Sequence, residues 1–312
     1  MIKAVKSLAA LTMIWSLFAF GTMAQAAPCN TSNSNTNTSP ASIKATQSGF
    51  HGKISLGTYG LYVNLMGESR VDVPTVVFDS GNGDDSSIWS QVAPQISSYT
   101  QTFTYDRVGL GQSDLAAGLD RSAKGSAERL HSLLHKAQVK GPYLLVSHSI
   151  AGLYARQFQA LYPDEVAGIV FVDSSYEHME SSLFPDPDFT DAERRSIMEA
   201  DLSNGTGIPI EGNYNDLLTS YQQIATARTQ DSLRNVPISV LTGGNHGYPS
   251  HFGSMEQRWA SLQQQLASLS NFTTHHLDPD HGHYLHTQNP QLVIQHIVDL
   301  IQLTTSTVKQ SH

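Results

Sequence analysis

The chain of 312 residues is longer than a minimal module, and it is predicted to fold around one large core with a sizeable insertion. Hydrophobic residues make up 39% and charged residues 14% of the chain, as in ordinary globular proteins, and no second long apolar run follows the N-terminus. The formal net charge of -9 leaves no basic surface to neutralise phosphates, which argues against nucleic acid as a partner.

The N-terminal segment has the pattern of a secretory signal peptide. Two lysines precede an apolar stretch over residues 8–20, and an A-x-A cleavage site ends at Ala26. We therefore predict a signal peptide over residues 1–26, cleaved after Ala26 or Ala27, and an exported mature protein, periplasmic or secreted, without a stable membrane anchor. An uncleaved anchor is the alternative, but the apolar stretch is short for a membrane span.

Residues 27–42 are predicted to form a disordered tether. Asn, Thr and Ser dominate residues 30–40, where no apolar side chain offsets the entropy of ordering. Cys29 is the only cysteine, so no intramolecular disulfide can form. We interpret Cys29 as a free surface thiol and not as a lipid attachment site, because Pro28 stands where lipidation signals carry a small residue other than proline.

From about residue 43, short apolar runs alternate with helical patterns. The predicted strands are Gly60–Met66, Thr75–Asp79, Gln101–Tyr105, Tyr143–Val146, Gly168–Val172, Ile238–Thr242 and Phe272–Leu277. The predicted helices between and after them are Ser122–Ala137, Ile150–Leu161, Ser254–Leu269 and Gln291–Leu303. The alternation predicts an α/β fold with a doubly wound, mostly parallel sheet, formed by residues 43–176 and 237–308.

Residues 177–236 break this alternation. The segment is polar, contains two prolines near its start, and has helical patterns over residues 191–200 and 215–227. We predict a helical cap inserted into the α/β core.

The chemistry is predicted to centre on Ser149. The strand that begins at Tyr143 runs directly into residues 147–152 and then into a helical pattern that ends at Leu161. A serine at such a sharp strand-to-helix turn presents its hydroxyl above the sheet on a strained backbone, as a nucleophile does. The usual G-x-S-x-G pattern here has Ser and Ala in place of the glycines, which are still small residues. A serine that merely caps the helix is the alternative.

Three motifs together resemble the α/β-hydrolase superfamily, which includes esterases and lipases. They are Val76-Val77-Phe78-Asp79-Ser80-Gly81-Asn82-Gly83 followed by Trp89, Tyr105-Asp106-Arg107-Val108-Gly109-Leu110-Gly111-Gln112-Ser113, and the turn at Ser149 continued through Tyr162-Pro163-Asp164 to Val172-Asp173. The resemblance covers about residues 70–177, with the histidine-containing region 272–303 added. It implies a serine hydrolase with an α/β-hydrolase sheet.

The family order of serine, acid and histidine implies that His283 is the general base. It lies after the last predicted strand and follows a glycine, as in the family pattern. His281 and His286 are the alternatives, and His148 is interpreted as a packing residue.

The acid is assigned to Asp173, at the end of the strand Gly168–Val172. Many family members place the acid after the next strand, but there this chain has no carboxylate, since that strand runs into Gly243-Gly244-Asn245. Asp278 and Asp280 are the alternatives, and Asp173 could instead be a structural residue of a turn.

The oxyanion hole is expected to consist of the backbone amides of Asn82 and Ile150. Gly81 lets the loop backbone approach the site closely, while Gly83 serves equally well as a simple turn residue.

The resulting hypothesis is hydrolysis of an ester or related acyl substrate through an acyl-enzyme on Ser149, with His283 and Asp173 completing the triad. The partner is a small-molecule acyl substrate, no cofactor or metal is implied, and the oligomeric state is not predicted. Two other classes stay open: a metal-dependent hydrolase that uses His281, His283 and His286, and a catalytically inactive binding protein of the same fold. Haloalkane dehalogenases and epoxide hydrolases are disfavoured because those members carry Asp where Ser149 stands.

Overall fold

A computed structural model of the protein describes residues 49–203, 210–248 and 254–310. Its centre is an eight-stranded sheet with the spatial order β1-β2-β4-β3-β5-β6-β7-β8. The strands are β1 His51–Ser55, β2 Gly60–Met66, β3 Thr75–Asp79, β4 Thr102–Tyr105, β5 Tyr143–His148, β6 Val166–Val172, β7 Ile238–Gly243 and β8 Thr273–Asp278. Strand β2 pairs antiparallel with β1 and β4, and every other neighbouring pair is parallel. The predicted α/β class with a mostly parallel sheet is confirmed.

Burial explains why the central strands stand out in the sequence. Strands β3, β5 and β7 are buried along their whole length, so both of their faces are rich in apolar residues. Every predicted strand is present within two residues of its predicted bounds. Strand β1 was not predicted because only one of its five residues, Ile54, is buried.

Nine α-helices lie within the described ranges of the chain. They are α1 Ala93–Ile96, α2 Ala123–Lys136, α3 Ala151–Leu161, α4 Met179–Leu183, α5 Asp191–Leu202, α6 Tyr214–Thr229, α7 Met255–Ala267, α8 Leu285–Gln288 and α9 Pro290–Gln310. Local sequence signals mark the starts of two of them. The Ser122 side chain caps α2, and Thr190 with Glu193 forms a capping box at the start of α5.

The helices cover both faces of the sheet. Leu145 of β5 belongs to a buried cluster with Leu133 of α2, Phe158 of α3 and Leu262 of α7. Its neighbour Leu144 points the other way, into a second cluster that includes residues of α1 and α9. Adjacent residues of one strand therefore anchor helices on opposite faces, as in a doubly wound fold.

The connection from β6 to β7 carries α4, α5 and α6, at the position of the predicted cap. Leu217, Tyr221 and Ile224 of α6 form a buried cluster with Leu153 and Tyr154 of α3. The cap segment therefore rests on the helix that follows Ser149. Its assignment to residues 177–236, and the core bounds around it, stay predictions.

The predicted signal peptide, the tether and Cys29 lie outside the described residues. Within the part of the chain that is described, no helix combines the length and the apolarity needed to cross a membrane.

The end of β7 touches the loop that carries His283. A Cβ added at Gly243 would lie 2.5 Å from the carbonyl oxygen of Gly282 and 2.7 Å from its carbonyl carbon. Gly243→Ala is therefore expected to force these backbones apart and to lower the free energy of unfolding by about 2 kcal/mol, measured by urea denaturation. A variant as stable as the native protein would contradict this close approach.

Candidate active site

Five loops that could carry chemistry leave the same edge of the sheet. Asn82 follows β3, Ser149 follows β5, Asp173 follows β6, His246 follows β7 and His283 follows β8. Because these strands are parallel, their carboxyl ends meet at one edge, where open α/β sheets bind ligands.

Ser149 occupies a tight turn between β5 and α3. Its φ of 55° lies in the left-handed region, where a residue other than glycine is strained. The turn is held against the loop after β6: the Ser149 N–H donates to the Val172 carbonyl at 3.3 Å, and the Ser175 N–H donates to the Ser149 carbonyl at 2.8 Å. Gly152 lies close to Ser174: a Cβ added at Gly152 would be 2.6 Å from the Cβ of Ser174.

His283 and Asp173 form a direct hydrogen bond. The distance from His283 Nδ1 to Asp173 Oδ2 is 2.7 Å, and both residues are buried. The His283 ring lies 4.5 Å from the ring of His148, centre to centre, and His148 Nε2 donates to the His283 carbonyl at 3.0 Å. The imidazole of His283 therefore packs against the residue that immediately precedes Ser149.

The Asp173 carboxylate accepts four hydrogen bonds. Its Oδ1 receives the Gly243 N–H and the Trp259 indole N–H, each at 2.8 Å, and its Oδ2 faces His246 and His283. Burial opposes ionisation of Asp173, but the two imidazoles outweigh that effect and hold its pKa below the ordinary value. A carboxylate with this many donors is well suited to orient an imidazole.

Of these four donors, sequence reasoning identified only His283. Trp259 lies within the predicted helix Ser254–Leu269, and its indole N–H was not considered as a donor. His246 is one of 14 histidines and carries no local motif, so only the tertiary structure reveals its contact with Asp173.

The alternative acids and bases have different environments. Asp278 Oδ2 pairs with His281 Nδ1 at 2.9 Å, and Asp280 is exposed. His286 is buried with its ring 4.6 Å from that of Trp89, and burial lowers its pKa to about 3, with a further contribution from His283. Of the histidines considered from the sequence, His283 is therefore the one that the structure joins to Asp173.

Metal-ligand atoms converge at two places among the described residues. One set is His131, His135 and Glu165 on the surface, and the other is Asp173, His246 and His283. The trio His281, His283 and His286 that the sequence offered as zinc ligands does not converge in this way. In the buried set, both imidazoles approach a single carboxylate oxygen at 2.7 and 2.8 Å, which is the geometry of two N–H donors and one acceptor.

Arg107 fixes the loop that carries Asn82. Its buried guanidinium donates to the carbonyls of Ser80 and Gly81, both at 2.5 Å, and to Asp79 at 2.6 Å. In a trans peptide the N–H points opposite to the C=O. Since the Gly81 carbonyl points at Arg107, the Asn82 N–H points away from Arg107, in a fixed direction.

The cap contacts this same loop. Glu211 pairs with Arg107 and accepts the Gly83 N–H at 2.6 Å, while Asn82 Nδ2 donates to the backbone carbonyl of Asp201 at 2.9 Å. The Asp201 side chain is buried, and its Oδ1 has no hydrogen-bond partner within the described parts of the chain. Burial raises the pKa of Asp201 to about 7.

This raised pKa predicts a pH-dependent effect of Asp201→Asn. The folded state favours the protonated carboxyl, so this residue costs no stability below about pH 4 and costs increasingly more as the pH rises toward about 7. Asp201→Asn is therefore expected to raise the free energy of unfolding by up to about 4 kcal/mol near pH 8 and to change it little near pH 4.

Urea denaturation at both pH values measures this difference, with Asp164→Asn at an exposed position as the matched control. The same effect of Asp201→Asn at both pH values would contradict an uncharged, buried carboxyl.

The sheet order, the strained serine after β5 and the histidine–aspartate pair beside it define a hydrolase-type α/β protein. A sequence model of the Alpha/beta hydrolase family matches residues 76–296. The chain therefore belongs to the alpha/beta hydrolase family.

Comparisons with individual proteins agree with this assignment. The uncharacterised protein YqjL of Bacillus subtilis is 28% identical over 226 residues, which cover 72% of this chain and 83% of that protein. An AB hydrolase superfamily protein of Gibberella zeae is 24% identical, over 70% of this chain and 65% of its own length. The crystal structure of a haloalkane dehalogenase loop variant, DbeA-M1 of Bradyrhizobium elkanii, superimposes with a TM-score of 0.62 at 15% identity, over 84% of this chain and 99% of that one. At that identity the likeness shows the fold alone.

Proposed function

We propose that this protein is an exported serine hydrolase that cleaves an ester or related acyl bond through Ser149, His283 and Asp173. The observation that carries the proposal is the 2.7 Å bond from His283 to Asp173, placed beside a serine with a φ of 55°. A strained serine alone is a weak nucleophile, and an imidazole oriented by a buried carboxylate is what activates it.

In this mechanism Ser149 attacks the acyl carbon while His283 accepts the serine proton at Nε2. The negative charge of Asp173 stabilises the imidazolium, which then donates its proton to the leaving group. Water repeats the sequence and releases the acid from the acyl-enzyme. The backbone amides of Asn82 and Ile150 are assigned to the oxyanion.

Two features support that oxyanion assignment. Ile150 is the N-cap residue of α3, and no side chain caps the start of this helix. The positive end of the α3 helix dipole is therefore directed at the turn. On the other side, Arg107 fixes the direction of the Asn82 N–H. Donors held in place before the reaction contribute most to stabilising a developing charge.

A hydroxyl nucleophile separates this protein from the dehalogenase that shares its fold. Dehalogenation in this fold uses a carboxylate at the position of Ser149, whereas acyl transfer uses a hydroxyl. The cap segment, which rests on α3 and on the Asn82 loop, is assigned to the wall of the substrate pocket.

Export follows from the N-terminal pattern of a basic start, an apolar stretch and an A-x-A site. Expression of the full chain with determination of the mature N-terminus tests it. A new terminus at Ala27 or Pro28 is expected, and retention of Met1 in the fractionated protein would contradict export.

Ser149→Ala is expected to lower the turnover of p-nitrophenyl esters by about five to six orders of magnitude, because the acyl-enzyme cannot form. The purified mature protein is assayed over a series of acyl chain lengths. Ser98→Ala changes an exposed serine in the connection between β3 and β4; it is the matched control and should retain the native rate.

A fluorophosphonate probe followed by peptide mass spectrometry identifies the nucleophile directly. Labelling of Ser149 is expected in the native protein and in Ser98→Ala. Labelling at another residue would overturn the assignment of Ser149, and activity that survives Ser149→Ala but disappears with a chelator would favour a metal-dependent mechanism.

Asp173→Asn is expected to lower kcat by about three to four orders of magnitude, because the neutral amide no longer stabilises the imidazolium. Since Asp173 accepts four hydrogen bonds, the melting temperature of the variant is measured in parallel. A folded variant that loses less than about tenfold in kcat would transfer the role of the acid to Asp278 or Asp280.

A further inference from the structure

A second imidazole shares the carboxylate oxygen that orients His283. His246 Nε2 lies 2.8 Å from Asp173 Oδ2, and His283 Nδ1 lies 2.7 Å from the same atom. The other ring nitrogen of His246, Nδ1, lies 2.7 Å from Glu256 Oε2. The side chain of His246 is fully buried between these two acids.

This geometry determines the charge of His246. An ionised carboxylate only accepts hydrogen bonds, so a ring nitrogen that bonds to one must carry a proton. Asp173 accepts four donors in all, so it is ionised, and Glu256 accepts the backbone N–H of His246 at 2.6 Å beside its contact with Nδ1, as a second carboxylate acceptor does. A ring with a proton on each nitrogen is an imidazolium cation.

The electrostatic environment agrees with that conclusion. Burial acts to lower the pKa of His246, but the negative charges of Asp173 and Glu256 outweigh it and raise this pKa to about 10. Within the described residues, the other ionisable group that stacks on His246 is Tyr248, at 5.3 Å, and burial raises the pKa of its hydroxyl well above the ordinary value. Tyr248 is therefore uncharged.

We propose that His246 is a positioning residue of the triad: a permanent cation, held by Glu256, that orients Asp173 and opposes the gain of a proton by His283. The proposal rests on the proposed function and deepens it. The centre of the His246 ring lies 6.2 Å from that of His283, so a positive charge on His246 acts on the His283 ring by Coulomb repulsion when that ring gains a proton.

The remaining neighbours of His283 do not carry this effect. His148, at 4.5 Å, has a pKa well below the ordinary value because it is buried, and so it is neutral. His286 is neutral for the same reason. Tyr284, at 5.5 Å, has a pKa raised by burial and by Asp84, and Trp259 does not titrate. Among these neighbours, Asp173 and His246 are therefore the ones that carry a charge.

Glu256→Gln is a test that preserves every hydrogen bond. The amide oxygen of the new side chain accepts the backbone N–H of His246, and its NH₂ group donates to His246 Nδ1, which must then lose its proton. His246 becomes neutral while its Nε2–H still donates to Asp173. His246→Gln is the second variant, since it leaves a neutral donor near Asp173 if Glu256→Gln folds poorly.

The first measurement is the pH dependence of kcat/KM. In both variants the acidic limb is expected to move about one unit to higher pH, because a nearby cation no longer opposes proton uptake by His283. In Glu256→Gln the loss of the acid's own negative charge reduces the shift but does not reverse it, because Glu256 lies on the far side of the His246 ring. The proposal is overturned if the acidic limb stays within about 0.2 pH unit of its position in the native enzyme, or if it moves to lower pH.

Trp259→Phe is the matched control. It also removes a donor to Asp173, but an uncharged one, so kcat should fall while the acidic limb stays in place. A merely structural role for His246 would make all three variants behave like Trp259→Phe.

The second measurement does not need activity. Nitrogen NMR spectra of isotope-labelled histidine report the protonation of each ring, and the native His246 signal is expected to stay that of an imidazolium up to at least about pH 8. In Glu256→Gln it should be that of a neutral ring. Titration of native His246 below about pH 7 overturns the proposal, whereas survival of activity in Ser149→Ala overturns only the proposed function.

Discussion

The candidate active-site edge of this protein is built around one buried negative charge. An isolated carboxylate is very costly to remove from water, yet Asp173 is fully buried and ionised because four donors surround it. The donors come from the end of β7, from the loop after it, from α7 and from the loop after β8. The carboxylate therefore joins segments that are far apart in the sequence. His283 is one of the donors that replace water around Asp173. The same hydrogen bond places His283 beside the turn of Ser149.

Position along the fold made most of the candidate site predictable. Ser149, Asp173 and His283 each follow a strand whose apolar run is visible in the sequence, and parallel strands bring such positions to one edge. The absence of a carboxylate after β7 also gains a physical explanation. That loop supplies His246, a donor to the acid that follows β6, and a second carboxylate there would repel Asp173.

The parts that the sequence did not reveal depend on tertiary pairing. His246 has no motif, and the contact between Arg107 and Glu211 joins residues 104 positions apart. Strand β1 is polar because it lies at the edge of the sheet, where only Ile54 reaches the core, so hydrophobic periodicity gave no signal. Local patterns report which face of an element is buried, whereas charge pairing across the fold leaves no periodic trace.

The cap and the Asn82 loop form one electrostatic unit. Arg107 is buried beneath the loop and is neutralised from the core by Asp79 and from the cap by Glu211. Removal of the cap acid would leave Asp79 as the counter-charge and take away the carboxylate that accepts from Nε of the buried guanidinium, a costly change in a buried site. Asn82 is tied to the cap a second time through Asp201. A displacement of the cap segment would therefore also shift the loop whose Asn82 amide is proposed to bind the oxyanion, because both tether points move with the cap.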